Sequence, residues 1–236
     1  MSAPSAQKPW SVASRPWAPW VVPFAVWLLG LIPQQISPAA TVWAYPLRTI
    51  VVGVLLIFWR RTYADLRPNW HGSGVLAGLA VLLLWIGLDP VDQIFRTALR
   101  SFGLLAGDGA GAWTPQELRN RSEAGFWTWA VFRIFGSSVV VAVIEELFWR
   151  GFLMRWIINA DFRKVPLGAF TWKSFLVTAL LFGFEHDRVV AGFAAGVVYG
   201  ALLCWRKNLF LCILAHGLTN FLLGLWVLQY GDWQFW

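Results

Sequence analysis

Two adjacent carboxylates and an arginine stand in a stretch that otherwise belongs in hydrocarbon: Val143-Ile144-Glu145-Glu146-Leu147-Phe148-Trp149-Arg150-Gly151, inside an apolar run from about Phe126 to Ile158. An ionised group at the centre of a bilayer costs roughly 2.5–3.5 kcal/mol on insertion scales, so these three demand pairing or a wet cavity. On a helix, Glu146 and Arg150 are i,i+4 and share a face. Glu145 points about 100° away from Glu146. The spacing therefore predicts that Arg150 holds Glu146 and that Glu145 is left for chemistry. The plain alternative is a buried ion pair that only fixes helix packing. Two further apolar runs carry polar groups at the same spacing. Leu181-Phe182-Gly183-Phe184-Glu185-His186 ends one, with Phe182 and His186 four apart. Ala215-His216-Gly217-Leu218-Thr219-Asn220-Phe221 lies inside another, with His216 beside Asn220. The chain has three histidines, and two of them are in these runs. One such histidine is more often a satisfied core residue than a catalyst. Two, with an amide one turn on and a carboxylate pair, are harder to read as packing.

The ordered set Glu-Glu-x-x-x-Arg, Phe-x-x-x-His, His-x-x-x-Asn on successive apolar runs resembles the CAAX protease and bacteriocin-processing family, the type II CAAX prenyl proteases of the membrane. It spans Glu145 to Asn220, about a third of the chain. Gly87-Leu88-Asp89-Pro90, Glu146 to Leu153 and Trp233-Gln234-Phe235-Trp236 are similar to the branch found with exosortase and PEP-CTERM sorting systems. The resemblance implies an intramembrane endopeptidase, a membrane-associated protein or peptide as substrate, an exosortase-system partner, and a metal-independent mechanism. The residues allow the same chemistry. Glu145 is the expected general base, with His186 sharing the attacking water. His216 and Asn220 are the expected donors to the developing oxyanion. Glu146 and Arg150 orient them, and Phe182 forms the pocket wall. Glu145, His186 and His216 also make a two-histidine, one-carboxylate set that could bind zinc, although His-Glu-x-x-His is absent. Cys212, four residues before His216, reads as a small packing residue rather than a nucleophile.

Composition sets the class. Of 236 residues, 58% are hydrophobic and 13% charged, and the mean hydropathy is +0.58. Soluble chains carry about 25% charged residues. The expectation is an all-α polytopic transmembrane bundle of about seven to eight membrane helices, forming a single domain over 1–236. Many of the eighteen Trp lie at the ends of apolar runs, where indoles favour the interface. The net charge of +7 flanks the runs, so it reads as topogenic charge beside lipid rather than a nucleic-acid surface. Two cysteines in or beside apolar runs support neither a disulfide framework nor a thiolate zinc cluster.

In chain order, 1–16 reads as a cytoplasmic tail, 17–88 as three spans, 89–125 as a connection, and 126–228 as the catalytic helices. The first run, Trp17–Ile32, could alternatively be a signal peptide with Ser37-Pro38-Ala39-Ala40 as a weak cleavage region. In the connection, Val91–Phe102 reads as an interfacial amphipathic helix or an eighth segment. Gly103–Ala112 reads as a glycine-rich turn without a phosphate-loop lysine. Gly192, Gly196 and Gly200 form a stripe for close helix approach. With seven spans and the N-terminus inside, eleven Lys and Arg fall inside and five outside. The bias predicts an inner-membrane protein with a cytoplasmic N-terminus. The site should open sideways to lipid or to the cytoplasm. Two other classes fit fewer residues: a non-proteolytic membrane scaffold or chaperone keeping the motif for structure, and a transporter using the charges as a proton relay. Paired repeats with broken helices, usual in transporters, are not visible.

Overall fold

The computed structural model describes residues 15–63, 67–103 and 114–236. All but the last two positions of the 1–16 tail, and all but Gly103 of the glycine-rich turn, lie outside the described residues. Among the described residues every regular element is helical. The chain is a helical membrane bundle, as its apolar runs require.

Helix α1 (Ala18–Leu29) opens on Pro19, tolerated in a first turn whose N–H groups have no partner. Trp20, Phe24 and Trp27 recur at helical spacing and are buried. Phe24 stacks on Phe148 with centroids 4.3 Å apart, and Trp20 meets Tyr63 and Phe162 edge-on. The first run is thus part of the bundle core. Helix α2 (Thr41–Trp59) carries Arg48 within its buried face. Helix α3 (Gly72–Gly87) is capped by His71, whose ring nitrogen accepts the Ser73 N–H. The third histidine therefore has a local structural role.

At Leu88 the chain bends by 53° into α4 (Asp89–Ser101). This is the amphipathic segment expected at 91–102, begun two residues earlier. Its first turn is not interfacial, because Asp89 and Asp92 are buried. A short helix, α5 (Pro115–Arg121), precedes α6 (123–156). Helix α6 runs unbroken but twice loosens to π winding, at Gly136–Val141 and Leu147–Leu153. Glu145 and Glu146 lie on the ordinary turn between the two, Ala142–Glu146. Then follow α7 (Trp172–Glu185), α8 (Val189–Arg206) and α9 (Leu209–Tyr230).

Thr41–Thr62, Val189–Arg206 and Leu209–Tyr230 are each long and apolar enough to cross a bilayer alone, and α3 with α4 qualifies as a bent pair. This is fewer than the seven to eight crossings expected, although every expected run is a helix. The difference is physical. Helix α1 has 12 residues and α7 has 14, short of the roughly 20 that span a bilayer unaided. Helix α6 carries charge at its centre. These three depend on their packed neighbours.

The glycine stripe of α8 packs as expected. A Cβ at Gly196 would lie 2.9 Å from the Ala179 Cα, and one at Gly192 3.0 Å from the Gly183 Cα. Helices α7 and α8 therefore touch backbone to backbone. The loop between them is fixed from outside. Asp92 accepts the N–H groups of Val190 and Ala191 at 2.7 and 3.0 Å, capping α8. Arg188 pairs with Asp89 at 2.7 Å, donates to the Gln234 carbonyl and lies over the Phe235 ring.

Candidate active site

Helix α6 brings the carboxylates to the middle of the bundle, and both are buried. Arg150 Nη1 donates to Glu146 Oε1 at 3.1 Å, the pair read from the i,i+4 spacing. Arg150 is fully buried. Its Nη2 donates to the Gly196 carbonyl at 3.3 Å, and its guanidinium lies 4.2 Å over the Phe182 ring. The close approach of α7 and α8 thus also sets the arginine in place.

His216, from α9, donates its Nδ1–H to the same Glu146 oxygen at 3.1 Å. Glu146 was expected to pair with Arg150; it holds the His216 ring as well. The two partners need not compete, because a carboxylate oxygen accepts more than one donor. Tyr199 stacks on His216 with centroids 5.2 Å apart, and its hydroxyl donates to Thr219, which donates to the Gly78 carbonyl.

His186 follows the last residue of α7. Its Nδ1 is 2.7 Å from the Phe182 carbonyl. A carbonyl only accepts, so Nδ1 carries the proton and Nε2 presents a lone pair. Both rings turn Nε2 toward one atom. Glu145 Oε2 is 4.0 Å from His186 Nε2 and 4.0 Å from His216 Nε2. That oxygen has no hydrogen-bond partner. The separations exceed a direct hydrogen bond and suit one shared water.

Asn220 lies one turn beyond His216. Its Nδ2 donates to the Ser137 carbonyl in the first π segment at 2.9 Å, leaving its second N–H uncommitted to that carbonyl. Glu145, His186, His216 and Asn220 all line one cavity of about 770 Å³. Phe182 also lines it, supplying a wall, the carbonyl that fixes His186 and the ring under Arg150.

Two groups of the site were not singled out from sequence. Glu185 lines the cavity and accepts the Trp149 indole N–H at 2.9 Å. Its position next to His186 was the available signal. Tyr199 had none, being a tyrosine in a glycine-rich apolar run. The bracing of the His186 loop by Asp89 and Asp92 joins residues about a hundred positions apart, which no local pattern reveals.

The cavity runs from Glu145 toward the end of the bundle where Leu31, Thr41, Thr114 and Trp236 lie. None of its described lining comes from 60–70, 151–175 or 203–211. There Phe162, Met154, Leu203, Leu209 and Leu211 are buried in packed contact. The segments 60–70, 151–175 and 203–211 carry Arg60, Arg61, Arg67, Arg155, Arg163, Lys164, Lys173, Arg206 and Lys207.

Residues 127–222 match the family model described as Type II CAAX prenyl endopeptidase Rce1-like. Over these residues, less than half of the chain, the sequence is similar to that family. The matched segment contains the whole set from Glu145 to Asn220 and leaves α1 to α5 outside it. No curated protein and no solved structure matches the chain. The apolar helices make this a membrane protein, and the matched segment is similar to an endopeptidase family.

Proposed function

We propose that this chain is an intramembrane endopeptidase that cleaves a membrane-associated protein, with a water held between Glu145 and His186 as nucleophile. The observation that carries the reading is the convergence of Glu145 Oε2 with the Nε2 atoms of His186 and His216, 4.0 Å from each, at the inner end of one cavity. A water there donates its protons toward Glu145 Oε2 and His186 Nε2. Attack on the scissile carbonyl passes one proton to Glu145, which returns it to the leaving amine. The oxyanion takes the free N–H of Asn220 and the Nε2–H of His216. Because His216 Nδ1 already donates to Glu146, its ring donates through Nε2 only as an imidazolium. Glu146, shared with Arg150, is the counter-charge for that state. Trp149 orients Glu185 at the cavity wall rather than at the water.

Zinc remains the second chemistry for the same atoms. Both histidines have Nδ1 committed to an acceptor, as metal-bound histidines do. A tetrahedral zinc wants about 3.3 Å between donor atoms, against the 4.0 Å present. The three side chains would therefore have to draw together, and no three-ligand cluster is formed among the described residues. The metal-independent route fits the geometry better.

The charge bias favours a cytoplasmic N-terminus in the inner membrane, and the cavity then opens on the extracytoplasmic side. Such a site takes a translocated or exported membrane protein, in keeping with the resemblance to exosortase-associated proteins. The test is comparative membrane proteomics of cells carrying wild type or Glu145→Gln. A precursor retained only in the variant, at equal protein level, supports the reading, and its cleavage by purified wild type should survive chelation. Identical processing in both strains refutes the protease. Loss of activity on chelation with recovery on zinc addition replaces the mechanism.

A further inference from the structure

We propose that Arg48 and Arg133 form a subsite of the same cavity that binds a carboxylate of the substrate peptide; this rests on the peptidase reading above. Arg48 interrupts the apolar run of α2, and it is only 7% exposed. A buried cation is expensive unless paired. Yet Nε and Nη1 of Arg48 have no hydrogen-bond partner. Its guanidinium lies 4.1 Å over Trp27 and 4.7 Å over Tyr45, and Arg133 lies 4.6 Å over the same Tyr45 ring. Two cations sharing one ring repel each other, and the ring faces offset only part of that. Among the described residues neither arginine has a carboxylate partner. Gln34 Nε2 is a third buried donor without a partner. All three line the cavity that holds Glu145 and His186. A wall of donors, two of them charged, with no acceptor to match is built for an anion.

The placement says which anion. Arg133, Ser137, Val141 and Glu145 follow one another at four-residue steps along α6, and all line the cavity. The twelve residue steps from Arg133 to Glu145 rise about 18 Å, the length of roughly five extended residues. A peptide with its scissile carbonyl at Glu145 and its chain running toward the opening brings a carboxylate about five residues on to the arginines. That carboxylate is a free C-terminus or an acidic side chain.

Binding tests this without turnover. Glu145→Gln protein in phosphatidylcholine nanodiscs is titrated with a dansylated Ala/Leu octapeptide in three forms: free acid, carboxamide, and carboxamide with aspartate as last residue. At least one carboxylate form should bind about tenfold tighter than the neutral carboxamide. The two acidic forms separate a C-terminal from a side-chain carboxylate. Arg48→Met should erase the preference without lowering the Tm, since it removes an unpaired buried cation and keeps the bulk. Arg133→Gln should reduce it. Equal binding of the three forms overturns the subsite, as does a preference that persists in both variants. So does a preference that disappears in phosphatidylglycerol nanodiscs, which would make a lipid phosphate the occupant. If wild type cleaves no substrate while the preference holds, the peptidase reading fails and the subsite stands.

Discussion

At the scale of single residues, burial decides what each charge is for. Arg150 and Arg133 lie on the same helix, but only Arg150 is enclosed, with Glu146 and the Gly196 carbonyl as partners. Arg150→Ala strands Glu146 in the core and frees the His216 ring from a shared counter-charge. Losing one partner of a buried pair costs about 3–5 kcal/mol. Arg150→Ala should therefore lower the Tm in detergent far more than Arg133→Ala, whose side chain is half-buried in the cavity wall. Equal melting of the two variants would mean that Glu146 is solvated or paired elsewhere. The i,i+4 pair was legible in sequence because one helical turn fixes it. The bond from His216 to the same carboxylate was not, since it needs α9 turned to face α6.

At the scale of elements, two features place the site. The first is the shortness of α7. Its 14 residues rise about 21 Å, less than the hydrocarbon thickness of a bilayer, and His186 just past its end lines the cavity. The second is the backbone contact of α7 with α8. Gly196→Ala puts a methyl 2.9 Å from the Ala179 Cα and 3.0 Å from its carbonyl. Backbone cannot yield as a side-chain tip can, so the helices must part, at about 1–3 kcal/mol. The same shift moves the Gly196 carbonyl away from Arg150. We expect a lower Tm and reduced turnover for Gly196→Ala. Gly53→Ala, where nothing lies within 4 Å, should be neutral in both measurements. A neutral Gly196→Ala would show that α7 and α8 are less tightly seated than described. The glycine stripe was readable as a packing surface, but its partner helix was not. The π segments on either side of Glu145 left no mark in the apolar pattern, which continues through them.

At the scale of the whole molecule, the two ends differ in charge and in access. One end gathers Pro19, Tyr63, Phe162 and the basic loop at 159–173. The other gathers Thr41, Trp129, Trp233 and Trp236 around the mouth of the cavity. With a cytoplasmic N-terminus, Lys164→Cys should resist a membrane-impermeant maleimide in intact spheroplasts and react after lysis. Glu117→Cys, exposed on α5, should react before lysis, above the background of Cys204 and Cys212. The reverse pattern would invert the protein and turn the cavity to the cytoplasm.

Composition and local periodicity determined that this chain is a bundle of membrane helices, where its long apolar helices lie, and that Glu146 and Arg150 pair. The order of the polar motifs also named the residues that meet at one cavity, since Glu145, His186, His216 and Asn220 can share a function only if they converge. Tertiary structure decided the rest. Helix rotation turned both Nε2 atoms toward Glu145 and gave Glu146 to His216. The bend at Leu88 carried Asp89 and Asp92 under the His186 loop, an arrangement bridging about a hundred residues. The direction of the cavity followed from which end packs solid. These depend on contacts between helices, whose relative rotation and depth are set by close-packed neighbours rather than by the spacing within any one run.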